Sequence, residues 1–297
     1  MANGDFLMRE DSLDEFEAVF QKASIPVLEI QKVEIQKISA VLVDHALDNS
    51  ILDLSAYLKA RFNSTVTLHW PNAMSEEVVK KVAGAHGTEP AAQPFASHAE
   101  LIGQISLDKS HLVLTSEPDE TALRSAELDA LVESATPPVL VIRRPVNDPA
   151  TVFRKILHSL TGNFQQTRNF SYSFSLAEPD GRVLLLHAVA DHEISDVREA
   201  LAGAPRITDR SSDEVLAEMS QHGERFLRGV VAAMRDDAFG VGYRLAVGDV
   251  EEVMRSELAA GDYGLLVVGH HCDGCSHIAA SDYQLMHQVR DIPVLAL

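Results

Sequence analysis

Cysteine is nearly absent, with two in 297 residues. A chain of that size cannot be held by one disulfide, so its stability has to come from buried cores, and the usage fits a reducing compartment. The chain therefore reads as cytoplasmic. Basic residues are also scarce: 25 Lys and Arg stand against 44 Asp and Glu, a net charge of −19. That field repels nucleic acid and anionic membrane surfaces, so neither is an expected partner. Long apolar runs are missing; PPVLVI and RVLLLHAVA fall far short of a membrane span. The opening MANGDFLMREDSLDEF is acidic and has no apolar centre, unlike a secretory signal. A Walker loop, a nucleophile elbow and a paired acid–base signature are all lacking, which points away from an enzyme. Trp70 is the one tryptophan.

What is present is internal repetition. SIPVLEI (Ser24 to Ile30), PPVLVI (Pro137 to Ile142) and DIPVLAL (Asp291 to Leu297) each read as a short buried strand entered through proline. A helical stretch precedes each one. Phe16, Val19, Phe20 and Ala23 follow a Ser12–Glu15 capping box; Leu128, Leu131, Val132 and Ala135 precede the second; Leu285 and Val289 follow a Ser281–Gln284 pair. Lys37-Ile38 and Lys155-Ile156 each open an expected strand, and Leu68-His69 and Leu186-His187 follow at the same 118-residue offset. HLVLT (His111 to Thr115) matches GLLVVG (Gly264 to Gly269).

The chain thus divides into a helix–strand extension (1–32), a first copy (33–146) and a second copy (147–297), with RRPVNDPA as linker. The copies differ in their middles. The second adds a helix from about Ser212, with the stripe Val215, Met219, Phe226, Val230 and Met234, then the strand GYRLAVG. Asp249 and Glu252 then cap a helix carrying Val250, Val253, Met254 and Leu258, which Gly261 closes. The first copy has shorter counterparts at Glu76 to Ala83 and His98 to Ile105. Alternating strands and helices, with several strands apolar throughout, predict an α/β fold with mainly parallel sheets covered on both faces. Ligands in such folds bind at the strand C-termini.

The strings FRKIL, VLLLHAV, VGDVEEVMRSELAAGDYGLLVVG and IPVLAL of the second copy, with QKISAVLVD, VTLHW, HLVLT and PPVLVI of the first, resemble the universal stress protein family in its tandem two-domain form. The resemblance implies two tandem domains, each a mainly parallel sheet with helices on both faces. It also implies pairing through last strands, and so a homodimer. Members of that family that bind nucleotide use an Asp after the first strand. They also use a loop Gly-x-x-Gly, nine residues, then Gly-Ser or Gly-Thr, because glycine lets backbone N–H groups turn toward phosphate.

Here those positions are degenerate. In the second copy the loop begins at Gly269, but Cys272, Asp282 and Tyr283 stand where glycine, glycine and a small hydroxyl are needed, and Thr161 replaces the Asp. The first copy offers Asp44, while its loop TSEPDETALRSA, entered at Thr115, has no glycine. A carboxylate ~5 Å from a phosphate costs roughly 3 kcal/mol at an effective dielectric near 20. Asp44, Thr115, Thr161, Gly269 and Gly274 therefore outline a vestigial nucleotide pocket, and neither copy is expected to bind ATP in the family's manner.

HHCDGCSH, His270 to His277, holds both cysteines as C-x-x-C with three histidines. His270, His271, Cys272, Cys275 and His277 could supply four zinc ligands, though eight consecutive residues are cramped for a tetrahedron. A redox pair is the other functional option. A polar loop that drifted after nucleotide binding was lost explains the string more simply. His69 and His187 read as structural, and helix capping accounts for Asp48. Phe164, Phe170, Tyr172 and Phe174 read as core filling. These observations lead to a non-enzymatic stress-response or regulatory protein, acting on a protein partner or small ligand without a cofactor. The alternatives are a nucleotide-binding protein with weak ATPase activity and a metal- or redox-responsive sensor.

Overall fold

The computed structural model describes residues 28–43, 46–86, 91–117, 122–160, 170–189, 212–269 and 280–297. Ten strands form one sheet in the order β3-β2-β1-β4-β5-β10-β9-β6-β7-β8. The first five are β1 (Lys37–Val41), β2 (Thr65–Pro71), β3 (Ala91–Phe95), β4 (Leu112–Ser116) and β5 (Val139–Ile142). The second five are β6 (Lys155–Leu160), β7 (Arg182–Val189), β8 (Gly240–Val247), β9 (Leu265–Val268) and β10 (Val294–Ala296). Within each set every pairing is parallel. The two sets meet antiparallel, Val141 opposite Val294 and Val139 opposite Ala296. Both sets share one order, 3-2-1-4-5, so the expected mainly parallel α/β architecture is present twice.

Burial follows position in the sheet. β4, β5, β9 and β10 are buried at every residue, as strands covered on both faces must be. At the sheet's ends β8 alternates only partly buried positions, and β3 carries Pro94, which an edge strand tolerates. One face is covered by α1 (Asp48–Phe62), α2 (Glu76–Ala85), α5 (Pro149–Arg154), α6 (Ser171–Leu176) and α7 (Ser212–Ala233). Their core is continuous across both halves, from Ile38, Leu54 and Leu68 through Leu140 and Leu295 to Phe153, Leu185 and Phe226. On the other face α3 (His98–Asp108) and α4 (Ala122–Ser134) cover the first half, with Leu101, Ile105 and Leu128. The second half is covered there by α8 (Val250–Ala260) and α9 (Ala280–Gln288), with Met254 and Leu285.

Several local expectations are met and some are corrected. Asp249 caps α8, its Oδ1 accepting the Glu252 N–H at 3.0 Å. Gly261 does follow α8, in an extended conformation; a Cβ there would lie 2.3 Å from the Tyr263 ring. Phe226, Val230 and Met234 of the long helical stripe are buried. Asp48 is the first residue of α1 rather than its cap, and its Oδ1 accepts from the Val43 N–H five residues upstream. Ser281 lies inside α9, so the Ser281–Gln284 pair does not cap it. Of the expected strand at 25–30, Leu28 to Ile30 are described and form none; Leu28 and Ile30 pack instead on the shared core. Lys32 continues that strap into the second half, pairing with Asp237 and lying 4.9 Å from the centroid of the Phe239 ring.

The 118-residue offset does not survive in the sheet. Val41 sits opposite His69, whereas Leu160 sits opposite His187. The second hairpinless pair is slipped by one residue relative to the first, and one residue turns a side chain to the other face. Leu68 lines the shared core and His69 points away from it; Leu185 lines the same core, and His187 shares its side.

The last strands, expected as free edges, pair with one another inside the chain. The homodimer expected through those strands therefore lacks its edges. Because one core joins the halves, unfolding should be a single transition. Leu295→Ala, at a fully buried site, is expected to cost about 2–5 kcal/mol and to move Trp70 fluorescence and far-UV circular dichroism together in a urea titration. Two separated transitions would show independent halves.

Candidate functional site

Parallel strands bring their C-terminal ends to one edge. Since β5 and β10 run oppositely, the two halves present those ends at opposite edges of the sheet. Each half has its switch point between its first and fourth strands, where α/β sheets open a crevice.

In the first half this crevice is a cleft of about 450 Å³. Val41, Val43, Pro71 and Phe95 come from the ends of β1 to β3, Leu101 from α3, and Leu128 and Leu131 from α4. Thr115, Ser116 and Glu117 close it at the end of β4. Thr115 alternates onto the same side as Val113, which belongs to the core beneath the cleft. At the mouth His98 lies edge-on to Phe95 (centroids 6.1 Å apart), and its Nδ1 is 3.5 Å from Glu127 Oε1. The N-terminus of α3 meets the cleft already occupied: Ser97 Oγ accepts the Glu100 N–H at 3.2 Å, and Glu100 Oε2 accepts the Ala96 N–H at 2.7 Å.

Each half buries a carboxylate at a strand C-terminal end, Glu117 just past β4 and Asp282 against the end of β6. Glu117, 4 % exposed, accepts from Arg143 Nε at 2.7 Å, and Arg143 Nη1 donates to the Val289 carbonyl of the second half at 3.2 Å. Asp282 lies in the first turn of α9 with no exposure, its Oδ1 accepting from Ser159 Oγ at the end of β6 (3.5 Å). An acid in the first turn of a helix takes the favourable end of the helix dipole for itself. Tyr283 turns away from the strand ends: its hydroxyl bonds Asp129 of α4, and burial first, then that carboxylate, push its pKa up. His287 joins them, its Nε2 2.9 Å from Asp129 Oδ1. Asp129, Tyr283 and His287 thus tie the halves together on the face opposite the shared core.

Two Ser–His contacts invite a catalytic reading, and burial removes it. Ser39 Oγ lies 3.0 Å from His69 Nε2, and Ser173 Oγ lies 2.8 Å from His158 Nδ1. All four residues are fully buried, away from the cleft. His69 Nδ1 donates to Gln104 Oε1 at 3.1 Å, so Nε2 accepts from Ser39. Desolvation lowers the pKa of His69 and pushes that of His158 down to about 3. His187 Nδ1 donates to the Leu160 carbonyl at 2.9 Å. His69 and His187 are structural, as expected, and so is His158. Phe170 and Phe174 are buried and stacked, with centroids 5.9 Å apart, against Phe226 and Phe239, so the aromatic run fills core; Phe164 lies outside the described residues.

Solved structures share this arrangement. A protein of unknown function from Pseudomonas aeruginosa PAO1 is 15 % identical, with 89 % of this chain and 92 % of that chain covered, at a TM-score of 0.59. A universal stress protein from Archaeoglobus fulgidus is 11 % identical, covering 87 % and 95 %, at 0.58. The fold is that of the universal stress proteins. No protein-family model matches the sequence, and no curated protein matches it.

Set against the nucleotide loop of universal stress proteins, the sheet register refines the sequence reading. Ile38 pairs with Leu112 and Ile156 with Leu265, so Ser116, not Thr115, is the counterpart of Gly269. Gly269 has φ +87°, the left-handed turn that starts the universal stress protein loop, while Ser116 keeps an ordinary negative φ. Of the candidate pocket residues only Thr115 and Gly269 are described, one in each half and so at opposite edges; Asp44, Thr161 and Gly274 lie outside the described residues. His270, His271, Cys272, Cys275 and His277 also lie outside them, and among the described residues no group of three or more His, Cys, Asp or Glu could hold a metal ion. No described helix is long and apolar enough to cross a membrane. The Glu117–Arg143 pair and the His98–Glu127 mouth were not apparent from the sequence. The first had a signal: both residues directly follow neighbouring parallel strands, HLVLTS and VLVI.

Protonation of the buried histidines sets an acid limit. His158 stays neutral when folded down to about pH 3, while unfolded chains take a proton near pH 6.5. Its contribution is complete above pH 6.5 and is lost progressively as pH falls below it. At pH 5 the loss from this one group is about 2 kcal/mol. His158→Gln should flatten the fall in urea-derived stability between pH 7 and 5; an unchanged slope would show that His158 is not the group responsible.

Proposed function

We propose that this chain is a non-enzymatic, stress-response or regulatory protein that takes a small ligand in the first-half cleft and does not hold ATP as nucleotide-binding universal stress proteins do. The observation that supports this most is the buried carboxylate at the strand C-terminal ends of each half. Asp282 occupies the first turn of α9 with no exposure, in the region where a phosphate tail would need bare backbone N–H groups. Glu117 is buried just past the end of β4, its charge taken up by Arg143. The leading donors of α3 are used by Ser97 and Glu100. A triphosphate entering either half would meet negative charge or satisfied donors.

The cleft itself has the size and lining of a small-molecule site: hundreds of Å³, mostly apolar, with a few polar groups at one end. A catalytic role would need an accessible nucleophile beside its base. The two Ser–His contacts among the described residues are fully buried and elsewhere.

Titration calorimetry with ATP at physiological magnesium should show a dissociation constant weaker than ~100 µM, and Asp282→Asn should leave it so. Binding tighter than that in the unaltered chain would overturn this reading.

A further inference from the structure

Resting on the reading of the first-half cleft as a ligand site, we infer that it selects an organic monocation, a primary or secondary amine on an apolar body, over an anion of the same shape. The walls are apolar and one is aromatic: Val41, Phe95, Leu101 and Leu128 are all buried in the protein. Among the described residues no lysine or arginine lines the cleft, and the two of formal charge that do are acidic. Glu117 is neutralised by Arg143, while Glu127 stands at the mouth with its side chain 53 % exposed. Among the described residues His98 is the one basic group beside it. An ammonium at the mouth gains from Glu127 and from the field of a chain at −19, whereas a carboxylate is opposed by both.

Among the described residues an anion finds no lysine, arginine or free helix N-terminus to offset its charge. The one described helix N-terminus at the cleft, that of α3, has its Ala96 and Glu100 N–H groups bonded to Glu100 and Ser97. Ser116 adds a second, independent pointer to a ligand. It is 6 % exposed, lines the cleft at the end of β4, and its buried Oγ has no hydrogen-bond partner among the described residues. A buried hydroxyl left that way favours a ligand group that can pair with it, and an ammonium N–H donates to it as readily as to water. Aromatic Phe95 at the mouth adds attraction for a cation over its face.

The test uses two probes of matched shape, phenethylamine and 3-phenylpropionate, titrated into the full chain at pH 7 and low salt. Affinity is read by calorimetry and location by amide shifts of Val41 and Thr115. The amine should bind at least about tenfold tighter, with both amides moving. Glu127→Gln should bring the ratio toward one, and the exposed cleft residue Ala96→Trp should abolish amine binding without loss of fold. Equal or tighter binding of the carboxylate, with the same amides moving, overturns the charge preference and leaves the cleft a ligand site. Failure of both probes to bind at millimolar concentration overturns the inference and the cleft reading with it. Amine binding that survives Ala96→Trp places the ligand elsewhere and overturns the inference.

Discussion

The antiparallel pairing of β5 with β10 is the contact on which the rest of the molecule depends. Three residue pairs, Val141 with Val294, Leu140 with Leu295 and Val139 with Ala296, turn two five-stranded sheets into one of ten. Every side chain involved is buried. Directly opposed pairs share a face, so Leu140 and Leu295 fuse the cores of the two halves on one side. The same pairing sends the strand C-termini of the halves to opposite edges. It therefore decides that the two switch points lie at opposite edges of the sheet.

Polar contacts refine that joint on both faces. On the shared-core side Arg61 of α1 donates to the Leu176 and Ala177 carbonyls at the end of α6 and pairs with Glu178 at 2.7 Å, where Tyr57 also bonds. A cation at a helix C-terminus satisfies the last carbonyls and meets the negative end of its dipole. Tyr57 stacks on Phe153 from the second half, centroids 6.2 Å apart. On the opposite face Asp129 of α4 meets Tyr283 and His287 of α9. Arg143 connects the end of the first-half cleft, through Glu117, to the carbonyl of Val289 just past α9. Truncating one member of such a buried pair leaves the other charge uncompensated, which is costly whatever the pair contributes intact.

The two switch points differ in chemistry. In the second half Gly269 takes a left-handed turn at the end of β9, and Asp282 is buried in the first turn of α9. In the first half the turn itself is gone, because Ser116 stands where the glycine would be and keeps an ordinary backbone angle. What remains there is an apolar cleft with acid at its mouth.

Much of this was legible in the residues. The strand cores HLVLT, PPVLVI, GLLVVG and IPVLAL are apolar at every position because central parallel strands are buried on both faces, and that pattern is local. Capping at Asp249 and burial of Phe170, Phe174, His69 and His187 were likewise readable from neighbouring residues. Facing and pairing were not. Equal spacing of Leu68-His69 and Leu186-His187 suggested equivalence, but a one-residue difference in register sends His69 and His187 to opposite faces. Register is set by contacts between strands some 27 residues or more apart, which no short motif records. Thus the sequence alone determined the kinds of element and their order. Only the tertiary structure decided that the last strands pair within the chain, that Glu117 is neutralised by Arg143, and that His98 is the one basic residue among the described ones lining the first-half cleft. Those depend on which distant segments meet, and burial of a charge is settled by its neighbours in space.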